Sequence, residues 1–279
     1  MKKIIAALDG LKFSASTQHY AIDIARQTNT FLVGVFLEDF TYTSYKIYDL
    51  ITKEGVTEKE LRQFSDRDKT ARDSAVAVFE DACRGAGIQY SVHHDKNIAL
   101  QELLHESVYA DLLVIDSHET FSHYEDKIPT RFIRDMLPDV QCPVLLVPKK
   151  YRAVEKIVIL YDGEPSSVHA IKMFSYMFPL LSELPVEVIS AKGFYEDQHV
   201  PDTRLMKEYI KRHFPNAHFT VLKGHPETEI VNHLRLEKQP VMVVLGAYRR
   251  GSVSRWLKQS MADILMKEIS APLFIAHNK

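Results

Sequence analysis

The chain has 279 residues, 46% of them hydrophobic and 26% charged, a mix that suits a soluble globular protein and argues against long disorder. Its length points to two domains rather than one. Lysine and arginine total 35 against 37 acids, a formal charge of −2, which disfavours a globally basic nucleic-acid binder.

The N-terminus carries Lys2 and Lys3 before only five apolar residues, Ile4 to Leu8. That is short of the roughly 7–15 needed for a signal-peptide core. No apolar run approaches the roughly 20 residues of a membrane helix, so no membrane association and a cytoplasmic location are expected. The first strand ends at Asp9, and Ser14 or Ser16 then caps a helix that turns Tyr20, Ile24 and Ala25 inward. Phe36, Phe40, Tyr42, Tyr45 and Tyr48 follow in one stretch, either covering a ligand or packing between the second strand and the next helix. Thr57-Glu58-Lys59-Glu60 reads as a capping box whose helix runs to Cys83 and stops at Gly85 or Gly87. Leu112–Ile115 is a continuously apolar strand of the buried, parallel kind. The join around Pro148–Glu155 is short and charged, which predicts two closely packed halves without a flexible tether. In the second half a shorter helix begins near Asp202, Pro226 opens the next one, Val241–Leu245 is again a buried strand, and Ser260 begins the last helix. Cys83 and Cys142 have no C-x-x-C spacing and cannot build a disulfide framework; they read as thiols of a reducing compartment.

Three segments recur in register. Lys3-Ile4-Ile5-Ala6-Ala7-Leu8-Asp9-Gly10 returns as Lys156-Ile157-Val158-Ile159-Leu160-Tyr161-Asp162-Gly163. Asp111–Asp116 corresponds to Val241–Gly246, and Cys142–Val147 to Ala271–Ala276. A duplicated α/β domain follows, each half alternating strands and helices in an open, doubly wound sheet. Each final strand follows a proline, Pro143 or Pro272, a placement compatible with an edge strand. Such an edge invites pairing with its counterpart in the other half, giving a pseudo-twofold molecule.

In a doubly wound sheet, ligands bind outside the carboxyl ends of the strands, where Asp9 and Asp162 fall. A carboxylate there accepts hydrogen bonds from a ribose or a base; equally, Asp-Gly is a turn pair, and both readings stand. The stretch from Gly246 through Arg249, Arg250 and Gly251 to Ser260 is a glycine-bearing loop entering a helix N-terminus, a place suited to an anion. Residues 246–259 hold four cations (Arg249, Arg250, Arg255 and Lys258) and no acid, about +4. Residues 116–129 hold Asp116, Glu119, Glu125 and Asp126 against Lys127, about −3. One charge pair about 6 Å apart is worth roughly 3 kcal/mol at an effective dielectric near 20, so the first half is expected to repel a polyphosphate. Pro129 removes one amide donor as well. The histidines, including His93, His94, His105, His118 and His123, lack metal-ligand spacing and read as surface or hydrogen-bonding groups. Trp256 either stacks on a base or packs between the halves, the latter being favoured.

Taken together, these residues resemble a tandem universal stress protein. In that family an aspartate ends the first strand, a G-x2-G-x9-G-[S/T] loop follows the fourth, and the last strand commonly follows Cys-Pro or Ala-Pro, as at Cys142-Pro143 and Ala271-Pro272. A segment like Gly224-His225-Pro226-Glu227-Thr228-Glu229-Ile230 typically lies before the loop. The resemblance implies two universal-stress-like domains, 1–150 and 151–279, each a mainly five-stranded parallel sheet in the order 3-2-1-4-5, packed as a pseudo-dimer. It also implies ATP binding, carried here to Asp162, Gly246, Gly251 and Ser260 with Arg249 assisting. The family's second glycine is Arg249 and its third Gln259, so binding is expected to be weak. In the first half Asp116, Glu119 and Pro129 stand at the three glycines, His94 stands opposite Gly224, and Thr130 alone survives, opposite Ser260. No catalytic residue, required cofactor or metal is expected. The S-G-G-x-D-S loop of ATP pyrophosphatases is absent after either first strand, and slow ATP hydrolysis and a nucleotide-free scaffold for protein partners stay open as alternatives. Association of two such chains is open as well.

Overall fold

Strands form where the sequence runs apolar without interruption, because a parallel sheet is covered on both faces. In the computed structural model, which describes residues 1–39, 57–122, 124–193, 199–246 and 260–276, six of the seven residues from Lys3 to Asp9 are buried. The chain separates into two compact units, the first comprising 1–142 and 149–151, the second 143–148 and 152–279.

The first unit contains β1 (Lys3–Asp9), α1 (Ala15–Thr28), β2 (Phe31–Asp39), α2 (Glu58–Gly85), β3 (Tyr90–Asn97), α3 (Ala99–Val108), β4 (Leu112–Asp116) and α4 (Arg131–Met136). Its strands lie in the order β3-β2-β1-β4, all parallel, with Ile4 set between Leu32 and Leu112. The helix ends follow local chemistry. Ser14 caps α1 by accepting from the Thr17 N–H, and Asn29 ends it in the left-handed region at φ 49°. Tyr20, Ile24 and Ala25 are buried on its inner face. Thr57 and Glu60 form the reciprocal capping box of α2, which ends at Gly85. Tyr151, beyond the last strand of this half, packs edge-on against Tyr20 at 4.7 Å and donates its hydroxyl to Asp23 at 3.0 Å. Phe36 is buried between Phe13 and Phe79; Phe40, Tyr42, Tyr45 and Tyr48 lie outside the described residues.

The second unit contains β5 (Val144–Val147), β6 (Lys156–Leu160), α5 (Pro165–Met177), β7 (Val186–Lys192), α6 (Thr203–His213), β8 (His218–Lys223), α7 (Pro226–Leu236), β9 (Val241–Gly246), α8 (Met261–Glu268) and β10 (Leu273–Ala276). The strands β8-β7-β6-β9-β10 are parallel and give the expected 3-2-1-4-5 order in full. The two proline-led strands pair, and they do so antiparallel, Phe274 facing Leu145. β10 is the last of its half's parallel strands, beside β9, and its other side takes the expected pairing with β5, which the proline does not obstruct. The reason is positional. Pro272 precedes the paired residues, so its missing N–H costs no ladder bond, while its carbonyl accepts from the Val243 N–H at 2.9 Å. Phe274 is fully buried, with Phe174 and Phe178 edge-on at 5.4 and 5.6 Å. Both cysteines are buried, and burial pushes the Cys83 thiol up to about 12.

Candidate functional site

At the carboxyl ends of β1 and β4 the first unit concentrates its own carboxylates. Asp9, the last residue of β1, is buried and accepts from the Leu11 N–H at 2.7 Å. Asp116, the last of β4, accepts from the Ser14 hydroxyl at 2.8 Å through one oxygen and from the His118 N–H at 2.9 Å through the other. Burial alone would raise the Asp116 carboxyl, but the hydrogen bonds from His118 and Ser14 prevail and hold it below the usual aspartate range. Glu119 is buried too, its Oε1 accepting from the N–H groups of Thr120 and Phe121, both at 2.9 Å. Burial, then the nearby Asp9 charge, push its carboxyl up to about 8. Thr130 caps α4 and donates its hydroxyl to the Glu119 carbonyl at 2.6 Å. Where the resemblance calls for glycine and free amides, this unit thus has amides already satisfied by internal carboxylates.

The second unit differs at each matching place. Asp162 lies two residues beyond β6 and is exposed; its Oδ1 accepts from the Glu164 N–H at 2.9 Å, and its Oδ2 has no hydrogen-bond partner among the described residues. Gly163 follows at φ +86°, a turn conformation that suits glycine. Both Asp-Gly pairs therefore make side-chain turns, and in the second the carboxylate keeps one oxygen for solvent. Gly246 ends β9. A Cβ there would lie 2.4 Å from the Ser166 carbonyl carbon, so this position is glycine because the first turn of α5 packs on it. Ser260 caps α8 by accepting from the Asp263 N–H at 3.1 Å, and Asp263 accepts in return from the Ser260 N–H at 3.2 Å. That box uses two of the donors an anion would seek. Arg249, Arg250, Gly251, Arg255, Trp256, Lys258 and Gln259 lie outside the described residues.

Two clusters at the opposite, amino ends of the strands have no motif in the sequence. Lys156 opens β6 and reaches Glu187 of β7 at 2.7 Å and Glu237 at 2.9 Å. Glu187 also accepts from Thr220 at 2.6 Å and lies 3.1 Å from His233 Nε2. Burial opposes its charge, but the bond from Lys156, helped by Thr220 and His233, brings the carboxyl down to about 2. Glu187, His233 and Glu237 are spaced for a metal ion, yet the Lys156 ammonium stands on both carboxylates and supplies the positive charge itself. The repeat-related Lys3 makes the corresponding contact in the first unit, to Glu106 at 3.3 Å, with His93 at 2.7 Å from the same carboxylate. The other histidines singled out also take contacts, His94 stacking on Phe36 and His105 meeting Tyr109 edge-on; His123 lies outside the described residues.

No protein-family model matches the chain. A curated relative, Universal stress protein Slr1230 of Synechocystis sp., is 20% identical over 288 residues, covering 98% of this chain and 99% of that protein. Among solved structures, a universal stress protein from Archaeoglobus fulgidus is similar with a TM-score of 0.72 at 16% identity, over 99% of this chain and 98% of that one. The cytoplasmic domain of a prokaryotic cation chloride cotransporter is also similar, with a TM-score of 0.53 at 10% identity, over 99% and 95%. The architecture alone thus occurs in proteins of different kinds. No helix among the described residues is long and apolar enough to cross a membrane. With the doubled domain, the 3-2-1-4-5 strand order and similarity over 98% of its residues, the chain resembles a universal stress protein and is built on the tandem form of that fold.

Proposed function

We propose that this is a cytoplasmic, non-enzymatic stress-response protein with universal-stress domains at 1–150 and 151–279, the second binding an adenine nucleotide weakly. The single observation carrying this reading is the contrast at the end of the fourth strand of each half. Asp116 there puts a carboxylate on the Ser14 hydroxyl that caps α1, whereas Gly246 puts no side chain against the first turn of α5. Only the second unit leaves that helix start free of an internal carboxylate from the fourth strand. In the proposed complex Asp162 accepts from the ribose or base, and Gly246, Gly251 and Ser260 border the phosphates with Arg249 adding charge. No resident metal or cofactor is part of the proposal.

A second reading has its own observation. Gly246 is required by the Ser166 backbone whatever binds, and Asp263 places a carboxylate on Ser260; both suit a scaffold that acts through partner proteins without nucleotide. Thermal unfolding of the full chain with Mg-ATP, ADP and AMP separates the two. A ligand at 100 times its dissociation constant stabilises by about 2.7 kcal/mol, a rise of a few degrees. The nucleotide reading expects that rise and its loss in Asp162→Ala. No rise at millimolar nucleotide favours the scaffold, and a rise unchanged in Asp162→Ala puts the ligand elsewhere.

A further inference from the structure

The first unit has a cavity of about 880 Å³ at the carboxyl ends of β1 and β4, and its chemistry is opposite to that of a phosphate site. Its walls include Leu11, Phe13, Asp116, Glu119, Tyr124 and Lys149. The amides around it are already used: Leu11 by Asp9, His118 by Asp116, Thr120 and Phe121 by Glu119, and Lys127 and Arg131 by Asp126. The hydroxyl that caps α1 is given to Asp116. What the cavity has in surplus is carboxyl groups. Glu119 is 6% exposed and lines the cavity; its Oε1 takes two N–H groups, and its Oε2 has no hydrogen-bond partner among the described residues. That oxygen is not sealed off among the buried unpartnered atoms, so it is open to a group that enters the cavity.

We propose that this cavity is a binding site for a small organic monocation, an amidinium or ammonium group on an apolar body, with the cationic head on Glu119 Oε2 beside Asp116. Phe13, Leu11, Ile128 and Tyr124 supply the surface for the body. One head group suffices, because Lys12 and Lys149 stand at the cavity and oppose a second positive charge; the Lys12 ammonium is already donated to the Ser122 carbonyl at 2.6 Å. The charges of Asp9 of β1 and Asp116 of β4 act on Glu119, and His118, Glu125, Asp126 and the two lysines line the same cavity. Burial, then the Asp9 charge, keep the proton on Glu119, and a cation seated on its carboxyl favours release of that proton.

Calorimetric titration of the full chain at pH 7 with benzamidine, and with benzoate as its anionic isostere, tests the site. Repeating it in buffers of different ionisation enthalpy reads the proton. Benzamidine is expected to bind with a dissociation constant of about 1 mM or below and to release up to about one proton. Benzoate is expected to give no binding heat at about 10 mM. Glu119→Gln keeps the acceptor for Thr120 and Phe121 but loses the charge, and should weaken benzamidine roughly tenfold and abolish proton release. Lys149→Glu, at an exposed position, should tighten binding several-fold. Absence of benzamidine binding at about 10 mM, equal binding of benzoate, or unchanged affinity in Glu119→Gln overturns the proposal. Should Glu119→Gln fail to fold, unchanged or weaker binding in Lys149→Glu overturns it equally.

Discussion

Replacing Glu119 by glutamine should change how the stability of the protein depends on pH. The folded carboxyl is held up to about 8 by burial and by Asp9, against an ordinary value of 4.5. Between those limits the folded state keeps a proton that the unfolded state has lost, so stability falls as pH rises through the window. Integrated from pH 5 to pH 8, one such group removes about 3–4 kcal/mol at most. Glutamine keeps the oxygen that accepts from Thr120 and Phe121 and carries no charge in either state, so it removes this slope. The assay is urea unfolding of wild type and variant, followed by circular dichroism at half-unit steps from pH 5 to 8.5. Wild type should lose stability toward alkaline pH and the variant should lose about 3 kcal/mol less. Parallel curves for the two proteins would refute the placement of Glu119 as a buried, proton-holding group.

Other perturbations probe the second unit. Phe274→Glu puts a charge at the centre of β10 against Phe174 and Phe178, and should cost about 4 kcal/mol or more; an unchanged melting temperature contradicts the burial of this strand as described. Gly246→Ala forces a Cβ onto the Ser166 backbone, with a loss of about 1–3 kcal/mol in denaturant titration whether or not nucleotide is present. Glu187→Gln leaves the Lys156 charge with Glu237 alone and should cost about 1.5–3 kcal/mol near neutral pH. Because the Glu187 carboxyl is brought down to about 2, that contribution is present above about 4.5 and is lost as pH falls toward 2; wild type and variant should converge in acid unfolding.

The doubled fold was readable because it rests on contiguous residues. Buried parallel strands must be apolar runs, so Leu112–Asp116 and Val241–Gly246 announce themselves and announce each other. Caps are equally local: Ser14, the Thr57–Glu60 box and Ser260 each stand within a few residues of the groups they satisfy, and Pro226 opens its helix where no N–H is needed. The acidic character of the first half's loop was legible too, since charge needs only counting. Its geometry was not. That Glu119 turns inward onto the amides of Thr120 and Phe121, near Asp9, depends on residues brought together across two strands. The Lys156–Glu187–Glu237–His233 cluster draws on β6, β7, α7 and the turn after it, and no spacing connects them; the repeat of Lys3 and Lys156 at matching positions was the one available hint. Gly246 is instructive in another way. Its type matched a phosphate loop, while its neighbours show a packing reason for the same residue. The antiparallel sense of the β5–β10 pair was likewise hidden, because an apolar run does not state which way its partner runs.

The divergence of the two halves is tested most directly by calorimetric titration of the full chain with Mg-ATP. We expect one weak site per chain, abolished by Asp162→Ala and unaffected by Glu119→Gln. Two equivalent sites, or a single site lost in Glu119→Gln and kept in Asp162→Ala, would contradict the assignment of anion binding to the second unit.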